Sequence, residues 1–128
     1  ETKNPAEIRA SQDALATKIQ AARKDAREGE IFTPAVRQLF RRLMYPETKG
    51  PDAKAVKESI KEDAPKGVRI RVNAKYPDAA PLPTVPPGIL AALPKLPEDL
   101  EYRIINKDLI LRDVHANVIV DFIRNAIQ

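Results

Sequence analysis

Residues 100–123 read LEYRIINKDLILRDVHANVIVDFI, and three short alternating runs with their turns can be marked on them. Leu100, Tyr102 and Ile104 alternate with Glu101, Arg103 and Ile105, and Asn106-Lys107 is turn-forming. Leu109 and Leu111 then alternate with Ile110 and Arg112, and residues 113–117 make the next turn. Val118, Val120 and Phe122 alternate with Ile119, Asp121 and Ile123 in the last run. Connections this short require antiparallel neighbours.

Upstream the period changes. Asn4 can cap a helix whose first position is Pro5, and Glu7 can reach back to the cap amide. Ile8, Leu15, Ile19, Ala22 and Ala26 fall on one thin stripe before Gly29 ends the run. A seam this rich in alanine predicts close approach to one neighbour within the chain. Its seven-residue recurrence leaves homodimerisation open as an alternative. Thr33-Pro34 opens a second helix carrying Val36, Leu39, Phe40, Leu43 and Met44, and Pro46 is expected to stop it. A third helix is expected over residues 52–64, with Val56 and Ile60 inward and Pro65 closing it.

At Val68 the spacing falls to two. Val68, Ile70, Val72, Ala74 and Tyr76 alternate with Arg69, Arg71, Asn73 and Lys75, which predicts a strand with one buried face and one cationic face. Residues 77–97 hold seven of the twelve prolines and read as an extended connector, apolar enough to lie on the fold, with one or two helical turns near Pro87. Helices first and strands later point to an α+β class: three N-terminal helices, an antiparallel sheet of about four strands and the proline-rich connector. A chain of 128 residues fits one domain, 1–128, with a helical half over 1–65 and a strand-rich half over 66–128.

Composition narrows the chemistry. There is no cysteine, so disulfides, thiolate metal sites and thiol nucleophiles are excluded. No apolar run approaches the ~18 residues of a transmembrane helix. The net charge of +4 is modest, and the six aromatics are not interleaved with the cations, so no nucleic-acid partner is expected. Ser11 and Ser59 lie on predicted helices, far in sequence from His115, so no nucleophile–base pair stands out and no catalytic residue is assigned. His115 has Asp108, Asp113 and Asp121 nearby in sequence, but they divide between turn and strands, so no metal site and no cofactor is expected. The candidate site is an anion-binding face: Arg69, Arg71 and Lys75 on one strand face, joined by Arg103 and Arg112 if those strands are neighbours. The competing reading is a solvated face on which Glu101, Asp108 and Asp121 neutralise the cations.

Leu96-Pro97, Tyr102-Arg103, the Asn106 and Asp108 turn, Leu109-Ile110-Leu111 and the run from Asn117 to Ile123 resemble the C-terminal hairpin module of small exported bacterial proteins. The stretch is similar to the tail of the periplasmic nickel/cobalt homeostasis family. The whole chain, with Phe32-Thr33-Pro34 and Asn73-Ala74-Lys75-Tyr76-Pro77, resembles a group of exported bacterial proteins of uncharacterised function. The first likeness covers under a quarter of the chain and carries over no functional residue. It implies a β-meander and export, hence a periplasmic or secreted location and an envelope protein as partner. The start on Glu1 without methionine is read in the same sense, as the mark of a removed signal peptide or tag. The expected function is that of a non-catalytic accessory or binding protein acting through protein contacts, with anion or headgroup binding as the alternative.

Overall fold

A computed structural model describes residues 4–127. Its elements run α1 (Pro5–Ala22), α2 (Pro34–Lys49), α3 (Ala53–Asp63), α4 (Pro87–Ala92), β1 (Leu100–Ile105), β2 (Asp108–Asp113) and β3 (Val118–Ile123). The class is α+β, and the three strands form an antiparallel meander in the order β1-β2-β3. Asn106, at φ 54°, and Asn117, at φ 57°, take the left-handed conformation that the two turns need.

The sheet is buried on both faces, which alternation alone did not indicate. On the first face Tyr102, Ile104, Leu109, Leu111 and Ile123 meet Phe32, Phe40, Met44, Ile60, Val85, Ile89 and Leu93, so α2, α3 and α4 form the covering layer. On the second face Ile105, Ile110, Ile119 and Phe122 pack with Tyr76, Val68, Ile70, Val72 and Leu82. A bulge lies between these packings in β3. Leu111 pairs with Asp121 but Arg112 pairs with Ile119, so Val120 is the extra residue and the phase of the strand switches there. Val118, Val120 and Phe122 therefore do not share one face.

The strand expected over residues 68–76 is absent. Its alternation is real, since Val68, Ile70 and Val72 turn to the second face while Arg69 and Arg71 are exposed. The segment covers the sheet instead of extending it. Asn73, at φ 69°, turns the chain, and only Lys75 bridges to Val118, helped by the Asn73 and Tyr76 amides donating to the Ile119 and Asn117 carbonyls. The sheet accordingly has three strands rather than about four. Two helix ends also differ. Helix α1 stops at Ala22, short of Gly29, and α2 continues past Pro46 to Lys49. Proline removes one donor, and the carbonyl it frees belongs to the exposed Arg42, so the helix survives until Gly50. Helix α1 packs Ala16, with Leu15 and Ile19, on Ala116 and Val118 at the β2–β3 turn, the close approach its alanines predict.

Asp121 is fully buried and ties the halves together. Its Oδ1 accepts from the Gly29 and Phe122 amides at 2.9 Å each, and its Oδ2 from the Ile31 and Phe32 amides at 2.9 and 2.7 Å. The loop can curl around the carboxylate because Gly29 takes φ 91°, and a Cβ there would run into the Arg37 guanidinium. Asp121→Asn keeps the shape but turns one acceptor into a donor that faces amides. We expect it to lower the unfolding free energy by about 3 kcal/mol in urea titration. An unchanged midpoint would mean that packing alone holds the loop.

Candidate functional site

The five cations expected on one face separate into three groups. Lys75 is bonded to Asp13 on α1 and lies 3.5 Å from Asp78. The hydrogen bond that it donates to the Asp13 carboxylate holds the Lys75 ammonium above the usual lysine range. Arg103 and Arg112 converge on Glu101 from the second face of the sheet: Arg103 is bidentate at 2.8 and 3.1 Å, and the Arg112 Nη1 donates to the same carboxylate. Arg103 also donates to the Leu82 carbonyl at 3.2 Å, and Arg112 to Asn117 Oδ1 at 2.8 Å. Arg112 is buried, so it is a strut of the fold rather than part of an exposed cationic face. Burial pushes the Glu101 carboxyl up, but the hydrogen bonds and charges of Arg103 and Arg112 outweigh it and hold the group below its ordinary value.

The expected neutralising role of Asp121 is corrected as well, whereas Asp108 does stand beside Arg69 and Arg71. Asp121 binds amides, and Asp108 accepts from the Asn125 amide at 2.9 Å. His115 is exposed and lies 2.9 Å from Asp99 across the end of the hairpin. Among the described residues no group of three or more His, Asp or Glu side chains is arranged to hold a metal ion.

Arg69 and Arg71 remain free of ion pairs among the described residues and line a cleft of about 750 Å³. Lys61 on α3 and Lys66 beyond its end line the same cleft, the chain turns at Gly67, at φ 76°, and Arg124 approaches from beyond β3. Lys61, Lys66 and Arg124 were missed by sequence reading because they lie on three separate segments. Among the described residues the sole carboxylate in the lining is that of Asp108.

A second concavity, about 570 Å³, lies between β1 and the connector. Leu90, Leu93, Leu96 and Val85 form one wall and the four successive residues Leu100, Glu101, Tyr102 and Arg103 the other. Adjacent residues of a strand point to opposite faces, so a groove touching four in a row runs along the strand's edge. The main chain agrees. Val114 donates to the Asp99 carbonyl at 2.9 Å, and with the observed register this makes Glu101 and Arg103 the residues bonded to β2. The backbone groups of Leu100 and Tyr102 then point away from β2, and Leu100 N–H turns back to Pro97. Burial of the Tyr102 ring raises its phenol above the ordinary value, and its hydroxyl donates to the Pro94 carbonyl at 2.7 Å, closing the floor. Ile104 is fully buried, so the open stretch ends there.

The low value of Glu101 fixes the sign of a pH effect. Its contribution to stability is complete above the unfolded glutamate pKa of about 4.3 and is lost as pH falls through the lower folded value. Glu101→Gln is expected to cost about 2 kcal/mol near neutral pH by leaving Arg112 without its anion, with the gap to the wild type closing in acid. A gap independent of pH, followed by denaturant unfolding, would remove the carboxylate from this role. Comparison with known proteins adds no relative to these geometries: no family model, no curated protein and no solved structure matches the chain.

Proposed function

We propose that the protein is a non-catalytic binding protein that holds an extended segment of another protein in the groove between β1 and the connector. The observation that carries this reading is the edge of β1 at Leu100 and Tyr102, where the Leu100 carbonyl and the Tyr102 amide and carbonyl face away from β2 along a groove walled by Leu90, Leu93 and Leu96. An added strand takes its affinity from main-chain hydrogen bonds and its specificity from alternate side chains seated in apolar pockets. A volume of about 570 Å³ is within the ordinary range of ligand sites, roughly 300–1,000 Å³.

Charge refines the partner. Among the lining residues Lys95 and Arg103 stand against the single carboxylate of Glu101, so the groove carries a small excess of positive charge. The segment that fits alternates apolar residues and bears an acidic one beside them. A second copy of the chain fits less well, because its own β1 edge is flanked by its own connector. The envelope assignment, periplasmic or secreted, is proposed on the resemblance of the C-terminal strands, and fractionation of cells carrying the tagged full-length gene tests it.

Peptides selected from a random display library against the purified protein are expected to share alternating apolar residues with at least one acid, and to protect the Tyr102 amide from hydrogen exchange. Leu90→Arg changes an exposed side chain, 48% accessible, and is expected to abolish that binding without changing stability. Selected peptides that bind the Leu90→Arg protein equally well would end the reading.

A further inference from the structure

We infer that the cleft between the end of α3, the β1–β2 turn and Arg124 binds a phosphate-bearing anion. This site is separate from the groove at β1 and rests on different residues. Lys61, Lys66, Arg69, Arg71 and Arg124 line it, and among the described residues they face one carboxylate, that of Asp108, whose Oδ1 accepts from the Asn125 amide.

The cations are concentrated rather than merely numerous. Several cations outside the cleft are matched locally: Lys75 with Asp13 and Asp78, Arg103 and Arg112 with Glu101, Arg37 with Glu28. Among the described residues Lys61, Lys66, Arg69 and Arg71 have no such partner. Arg124 is partly committed, 3.6 Å from Glu28 and with its guanidinium 4.8 Å from the Phe122 ring centroid. Like charges drawn around one concavity repel one another, and an anion in the concavity relieves all of them at once.

The geometry selects the class of anion. Arg69 and Arg71 are two residues apart on an extended segment that seats Val68, Ile70 and Val72 on the sheet, so their side chains leave on the same side, roughly 7 Å apart. That segment is anchored, and the two guanidinium stems start from fixed points. Two planar forks at this spacing, with the Lys61 and Lys66 ammonium groups in the same lining, suit an anion with several oxygens and more than one negative charge. A phosphate monoester or a diphosphate meets that description, whereas a single carboxylate leaves most of the cations unmatched. No aromatic side chain lines the cleft, so there is no platform on which a nucleic-acid base would stack.

Free phosphate compounds and phospholipid headgroups share this chemistry, and the test separates them. Inorganic pyrophosphate is titrated calorimetrically at low salt into the wild type, into the double variant Arg69→Ala/Arg71→Ala, and into the charge-matched control Lys18→Ala/Lys24→Ala on and just beyond α1. In parallel, the three proteins are floated with phosphatidylcholine vesicles made with and without phosphatidylglycerol. All four substituted residues are exposed, and thermal unfolding of each variant verifies the fold. Binding of pyrophosphate that weakens about tenfold or more in the cleft variant and not in the control supports the inference with a soluble ligand. Flotation with the anionic vesicles, lost only in the cleft variant, supports it with a headgroup. Equal binding by the cleft variant and the control, or no binding of either probe by the wild type, overturns it.

Discussion

A single carboxylate holds the two halves of this molecule in register. Asp121 lies under the helical layer, and the four amides it accepts from belong to its own strand and to the loop that joins α1 to α2. A buried charge without a cation is costly unless its lone pairs are filled by donors, and here the backbone fills them. The loop gains a fixed shape in return, and Phe32 enters the core beside Phe40, with ring centroids 5.2 Å apart. The bulge at Val120 sets the face on which Asp121 lies. Strand irregularity, carboxylate and loop are one device.

The opposite face of the sheet is organised by charge. Glu101, Arg103, Ile110 and Arg112 share it with the residues that receive Val68, Ile70 and Val72. Asn117 extends the network, accepting from Arg112 and donating to the Tyr76 carbonyl at 3.0 Å. Ion pairs of this kind stabilise little when exposed but position their elements firmly when partly buried. The segment that covers this face thereby reaches the α3 end of the molecule with Arg69 and Arg71 turned outward. Structural and uncommitted cations are close in sequence and differ in what lies opposite them.

Much of the architecture was legible. The three C-terminal strands and both turns follow from period and turn chemistry, and the starts of α1 and α2 from Asn4-Pro5 and Thr33-Pro34, whose side-chain caps are present. The apolar register of residues 68–72 was legible too, but not the partner of that segment. Alternation reports which side chains are buried, and a segment laid on a sheet has the same alternation as one within it. The bulge was hidden because Val118, Val120 and Phe122 keep an unbroken pattern. Of the candidate site, Arg69 and Arg71 line the cleft, whereas Lys75, placed with them by alternation, is bonded to Asp13, and Arg103 and Arg112, added by strand adjacency, are bonded to Glu101. The double burial of the sheet had a visible signal: Ile105, Ile110 and Ile119 are apolar at positions where a wet face would be polar.

The order of the elements along the chain has a consequence for folding. The helices of the N-terminal half bury their apolar faces chiefly on strands encoded at the far end, and the Asp121 contacts bridge some ninety residues of sequence. Synthesis from the N-terminus therefore delivers helices well before the surface they pack on. Helices α2 and α3 touch each other, but the cluster they share is completed only by the meander, and contacts this distant in sequence form slowly because loop closure precedes any gain from them. The meander, in contrast, is assembled from adjacent strands. The loop between α1 and α2 gains its acceptor only when the last strand brings its aspartate.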